Sequence, residues 1–117
     1  MPRDVDLIRD LILRFEQNGT SVPPGRSQQE VAYHVKQLID EGFVEGRVVM
    51  KPSPGKLLPH SFFINDITWK GHDFSKAVRD ESVWCRTKDH FRERSVPWTV
   101  DLVLEFLKSG GRAALGL

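Results

Sequence analysis

The sequence predicts a mainly α fold with one β-hairpin, an α+β arrangement in which a winged-helix-like core is extended by C-terminal helices. Three observations predict it. Apolar residues recur at helical spacing over residues 4–17 and 27–41. Two segments rich in β-formers, "FVEGRVVM" and "SFFINDITW", follow and flank a stretch of prolines and glycine. Helical periodicity then returns and runs to near the C-terminus. With 117 residues the chain is sized for a single domain, residues 1–117. Within it the reading sets a core at 1–68, with its hairpin at about 43–69, and a helical extension at 69–117.

In "DVDLIRDLILRFEQ", Leu7, Ile8, Leu11, Ile12 and Phe15 make one apolar stripe. Asp4 is placed to cap this helix, and Asn18-Gly19 to stop it in a left-handed turn. "GTSVPPGR" must be a loop, because Pro23-Pro24 cannot continue a helix. Ser27 and Glu30 then form a capping box, S-x-x-E, ahead of a buried stripe of Val31, Val35, Leu38 and Ile39. His34 sits at the edge of that stripe, and Gly42 ends the helix.

The hairpin is expected to have strands at 43–50 and 61–69 and a long, irregular tip, "KPSPGKLLPH". Gly46 predicts a bulge or bend in the first strand. In the second strand the apolar phase slips at Asn65-Asp66, which predicts a bulge or break there. Thr68 is the expected cap of the next helix, with Trp69, Phe74, Ala77 and Val78 inward. A break near Asp80 to Ser82, with Ser82 as the second cap, leads to Val83, Trp84, Thr87, Lys88 and Phe91 at helical spacing. The last helix starts at a Thr99 cap and stops at Gly110-Gly111, with Val100, Val103, Leu104 and Leu107 as its stripe.

Composition narrows the function classes. Hydrophobic residues make up 39% and charged residues 28%, as in a globular protein. Cys85 is the single cysteine, so no internal disulfide forms, which fits a reducing cytoplasm. The start "MPRDVDLIRD" does not read as a secretory signal, and no apolar run approaches a membrane span. A net charge of +1 lacks the basic excess of a dedicated nucleic-acid binder but permits a local basic patch.

Helix, helix, hairpin, helix is the order of a winged-helix domain, with the hairpin as the wing. More narrowly, "RDVDLIRDLIL", "EVAYHVKQLIDEGFVEG", "ITWKGHDFSKAVRDESVW" and a final "LGL" resemble the small bacterial and prophage proteins catalogued as domain of unknown function 2513. The likeness runs over nearly the whole chain, and "YHVKQL" and "TWKGHDF" carry most of it. It implies a winged-helix-like protein often found with mobile-element genes, and it brings no catalytic residue. One feature departs from a usual winged helix, which has a short positioning helix before the reading helix. Here about eight residues, two of them proline, separate the first helix from Ser27. Either the short helix is missing or 27–41 breaks in two.

No residue pattern announces chemistry. His34, His60, His72 and His90 lie on separate elements without zinc-motif spacing, so no metal or cofactor is expected. Cys85 beside Trp84 reads as half-buried and inert. Trp69, Trp84 and Trp98 read as core or subunit-contact residues, because base-stacking aromatics sit among basic residues on a sheet or groove. The chain is expected not to be an enzyme, and no small-molecule ligand is evident. The leading expectation is a cytoplasmic, regulator-like protein that binds double-stranded DNA. Gln28, Gln29, Tyr33, Lys36 and Gln37 would read the duplex, with Arg26, Arg47, Lys51 and Lys56 on phosphates. The alternative is a protein-interaction module. Basic residues gathered on one acid-free surface favour DNA, and interleaved acids favour the module. Leu102 and Phe106, on an apolar flank of the last helix, are the expected contacts of a homodimer.

Overall fold

Helix α1 (Val5–Glu16) forms where the stripe was read, and Leu7, Ile8, Leu11, Ile12 and Phe15 are all buried. The Asp4 carboxylate accepts the Leu7 N–H at 3.1 Å, and Asn18 takes the left-handed conformation, φ 63°, just beyond the helix. This structure, a computed structural model, describes residues 4–19, 22–93 and 100–108. Among these residues it holds five helices and one two-stranded hairpin. The chain divides into two units, Met1–His72 and Asp73–Leu117, so the boundary falls four residues past the division drawn from the sequence.

In the first unit, helix α2 (Gln28–Asp40) is unbroken. The chain from Val22 to Ser27 is loop, turned by the Arg26 N–H donating to the Pro23 carbonyl at 3.2 Å. Among the described residues no positioning helix precedes α2, and α2 is not split. Ser27 caps α2 by accepting the Glu30 N–H at 3.1 Å. Val31, Ala32, Val35 and Leu38 are buried, while Ile39 is only half-buried. His34 is not at the edge of the stripe but inside it, 0% exposed. Its Nε2 accepts the Asp4 N–H at 2.9 Å, which leaves Nδ1 as the donor to the Glu30 carbonyl at 2.8 Å. The ring thus ties the start of α1 to the first turn of α2 and leaves neither nitrogen unpaired in the core.

The hairpin departs most from expectation. Strand β1 (Val44–Ser53) pairs antiparallel with β2 (Lys56–Ile67), so most of the supposed irregular tip is strand. The real turn is Pro54-Gly55, closed by the Ser53–Lys56 pair. Proline fixes φ at the first turn position and Gly55 takes φ +79° at the second, the combination a type II turn demands. Pro52 and Pro59 are accommodated because both strands of a two-stranded ribbon are edges, where a missing N–H need not break a ladder bond. The predicted slip is real. Glu45 pairs with Asp66 and Gly46 with Ile64, which leaves Asn65 as the extra residue of a bulge in β2. A second shift between Val49 and Met50 leaves out His60.

Helix α3 (Trp69–Val78) starts at the root of the hairpin, and Thr68 caps it by accepting the Gly71 N–H at 3.1 Å. Trp69 is not inward: it is 88% exposed. At about 100° per residue it lies on the side of α3 opposite Phe74 and Val78, which are buried.

In the second unit, Asp80 rather than Ser82 caps helix α4 (Glu81–Glu93), its carboxylate accepting the Val83 N–H at 3.1 Å. Val83, Trp84, Thr87 and Phe91 are buried, and Lys88 is half-buried. Cys85 is exposed rather than half-buried, because it falls on the outer side of α4 from that stripe. Val103, Leu104 and Leu107 are the buried residues at helix α5 (Val100–Phe106) and its C-terminal end. Phe106 stacks on His90, with centroids 4.6 Å apart, and meets Phe91 edge-on. Trp98, the Thr99 cap, the Gly110-Gly111 stop and the final "LGL" lie outside the described residues.

Candidate functional site

The outward side of α2 does not stand clear of the molecule. Its residues Gln29, Tyr33, Lys36, Gln37 and Asp40 form one wall of a cleft of about 680 Å³, and the distal hairpin forms the other through Met50, Lys56, Leu57, Leu58 and Pro59. The helical period explains the first wall, since these five positions fall on one side of α2. The extension of β2 through 56–60 explains the second, because it carries "KLLP" opposite that side of α2. Tyr33 and Gln37 are half-buried, whereas Gln29, Lys36 and Asp40 are exposed. The walls are chiefly apolar.

The predicted DNA-contacting residues are scattered. Gln29, Tyr33, Lys36, Gln37 and Lys56 come together in the cleft. Gln28 is exposed in the first turn of α2, and the residues lining the cleft do not include it. Arg26 is held between two acids, at 2.7 Å from Asp4 and 2.6 Å from Glu30. The hydrogen bonds that the Arg26 guanidinium donates to Asp4 and Glu30 raise it above its ordinary range. Burial acts to raise the Asp4 carboxyl, but the Leu7 N–H and Arg26 outweigh it and hold it below its ordinary value. This clasp joins the first turns of α1 and α2. Lys36 pairs with Asp40 one turn on, at 2.7 Å. Arg47 and Lys51 lie on the other side of the ribbon, because side chains alternate along β1 and Met50 faces the cleft. The nine residues thus form no common surface, and Asp40 stands beside Lys36 in the cleft.

Sequence reasoning missed Met50, Leu57, Leu58 and Pro59 as a wall. The signal was present in "SPGK", a proline–glycine turn between two short β-capable runs, which pulls residues 56–59 out of a loop and into a strand. Of the proposed dimer contacts, Leu102 is 38% exposed, while Phe106 is half-buried against His90 and Phe91. Among the described residues no three His, Cys, Asp or Glu side chains are grouped to hold a metal, and no helix is long and apolar enough to cross a membrane.

Two of the segments behind the family resemblance meet at one junction. "DEGF" ends α2 and starts β1, and "ITWKGHDF" ends β2 and starts α3. The Thr68 hydroxyl lies 2.6 Å from the Gly42 carbonyl oxygen and 3.0 Å from that of Phe43, the two acceptors it donates to. Lys70 donates to the Glu41 carbonyl at 2.9 Å, with its ammonium 4.6 Å from the centre of the Phe43 ring. A cation at the end of α2 also suits the negative pole of that helix. Gly71 passes so close to Phe43 that a Cβ would run into the Phe43 carbonyl oxygen. These residues close the root of the hairpin.

A protein of Haemophilus influenzae (strain ATCC 51907 / DSM 11121 / KW20 / Rd), described as "Uncharacterized protein", is 27% identical over 110 residues, covering 88% of this chain and 89% of that protein. No solved structure matches. The family described as "Hypothetical protein (DUF2513)" matches residues 2–97, which span both strands, the α2–hairpin cleft and the Thr68–Gly71 junction, and the chain belongs to that family.

Proposed function

We propose that this chain is a non-catalytic protein-interaction module, in which the cleft between α2 and the hairpin receives an apolar segment of a partner protein. The observation that carries this is the lining of the cleft: Tyr33, Met50, Leu57, Leu58 and Pro59 supply its body, and Lys36 is already paired with Asp40. Burial of apolar side chains against such walls supplies the affinity, and the amides of Gln29 and Gln37 orient the guest. A phosphate backbone gains little from these walls, because affinity for duplex DNA comes chiefly from unneutralised cations. The reading includes a cytoplasmic location.

The test is selection of displayed peptides on the wild-type chain with counter-selection on Leu58→Glu. Peptides rich in apolar residues that lose binding to Leu58→Glu and to Tyr33→Ala are the expected result. Only peptides indifferent to both substitutions would refute the cleft. The rival is a DNA-binding regulator of mobile-element origin, favoured by Gln29 and Gln37 standing together beside Lys56. It requires micromolar, salt-dependent binding of mixed-sequence duplex, with a sequence preference that changes in Gln37→Ala. For assembly, exposed Leu102 is the proposed homodimer contact, and light scattering on Leu102→Glu against the wild type tests it.

A further inference from the structure

The side of the hairpin turned away from the cleft has a different chemistry. Along β1, Val44 is buried and Gly46, Val48 and Met50 are half-buried, while Glu45, Arg47, Val49 and Lys51 are exposed. Across the ribbon Arg47 pairs with Phe63 and Val49 with Ser61. Phe63 is 53% exposed, and the Arg47 guanidinium lies 4.9 Å from its ring centre. Lys56 is exposed at the tip. Not one acidic residue falls between Gly46 and Ile64, a segment that carries Arg47, Lys51 and Lys56. The next outward pair toward the root is Glu45 with Asp66, two carboxylates facing each other.

We propose that this outer face binds single-stranded nucleic acid, with a base stacked on Phe63 and phosphates held by Arg47 and Lys51. An aromatic ring lying exposed on a sheet among cations is the arrangement that accepts an unpaired base, since every base offers a π-face and the cations follow the backbone. Arg47 and Lys51 stand four positions apart along β1, about 13 Å of strand, so the site spans a few nucleotides. The Glu45–Asp66 row closes it toward the root by repelling the next phosphate. A duplex hides its base faces within the stack and leaves Phe63 nothing to receive. An anionic bilayer fits less well, because Phe63 stands nearer the root than the tip. A membrane deep enough to reach it would also meet Glu45 and Asp66. The cleft uses the other side of the ribbon, so the two readings stand or fall separately.

Fluorescence anisotropy with labelled oligo-dT and oligo-U at low salt tests the proposal, with a mixed-sequence duplex and phosphatidylserine-containing vesicles as comparators. Micromolar binding of the single strands is expected, weaker for the duplex and for the vesicles. Phe63→Ala should weaken single-strand binding about tenfold, with the salt dependence kept, and Phe63→Trp should restore it. Lys51→Ala should lower the log–log salt slope by about 0.7. Thermal melts of each variant establish that it is folded. No single-strand binding, equal or tighter binding of duplex or vesicles, or indifference to Phe63→Ala would overturn the proposal.

Discussion

At the root of the hairpin, Thr68 and Lys70 direct their polar atoms onto the last carbonyls of α2, and Gly71 gives up its side chain so that α3 can touch Phe43. Along the arm, Arg47, Val49, Lys51 and Phe63 stay exposed, and each strand carries a proline, Pro52 or Pro59, without a break. The first region is specified by backbone contacts that few residues satisfy. The second is held by cross-strand pairing, by the packing of α2 on one side and by Phe15 of α1 against Phe62. The "TWKGHDF" segment therefore builds the frame, whereas "YHVKQL" contributes Tyr33, Lys36 and Gln37 to the cleft. A motif strong enough to identify a family need not mark its site.

The largest effect that separates the regions is expected from Gly71→Ala. A methyl group there meets the Phe43 carbonyl, and the helix must shift away from the strand, at a cost of about 3 kcal/mol. A urea melt with an unchanged midpoint would show that the root has slack. Thr68→Val keeps the shape but removes the cap of α3 and the bond to Gly42. Its expected cost is about 1–2 kcal/mol in the same measurement.

A third test concerns the clasp between α1 and α2 and carries a sign. The Asp4 carboxyl is lowered from its ordinary value of 3.8, so the folded state favours its ionised form. Its contribution is present above the unfolded value and is lost as pH falls through the lower, folded value. Asn still caps a helix but carries no charge toward Arg26. Wild type should therefore exceed Asp4→Asn in stability at neutral pH, and the gap should close as the solution is acidified below 3.8. A gap that stays constant over that range would remove the charge from the account.

The smallest effects are expected on exposed rings. Trp69→Ala and Phe63→Ala should each change stability by no more than about 0.5 kcal/mol, because neither ring is part of the core. A larger loss at Phe63 would bring the arm into the stability of the frame and weaken the contrast drawn here.

Much of the first unit was legible in the sequence. Asp4, Ser27 and Thr68 cap where their side chains predict, since capping depends on a few consecutive residues. The stripe of α1 and the slip at Asn65 were legible for the same local reason. Trp69 shows how a local reading fails by its own arithmetic, because its angle on α3 already sets it opposite Phe74 and Val78. Of the candidate site, the outward face of α2 was readable and its partner wall was not. Which side of a ribbon meets a helix depends on twist and register summed over both strands.

The sequence by itself determined where α1, α2 and α3 begin, where α1 and α2 stop, that a hairpin follows α2, and that Gly42 and Gly55 occupy turns. Each of these is decided within a few bonds by sterics and by the pairing of neighbouring backbone groups. Only the tertiary structure decided that Arg26 is taken by two acids, that His34 lies inside the core, and that Arg47 and Lys51 face away from Lys36. Those outcomes depend on distances between residues far apart in the chain, which periodicity does not encode.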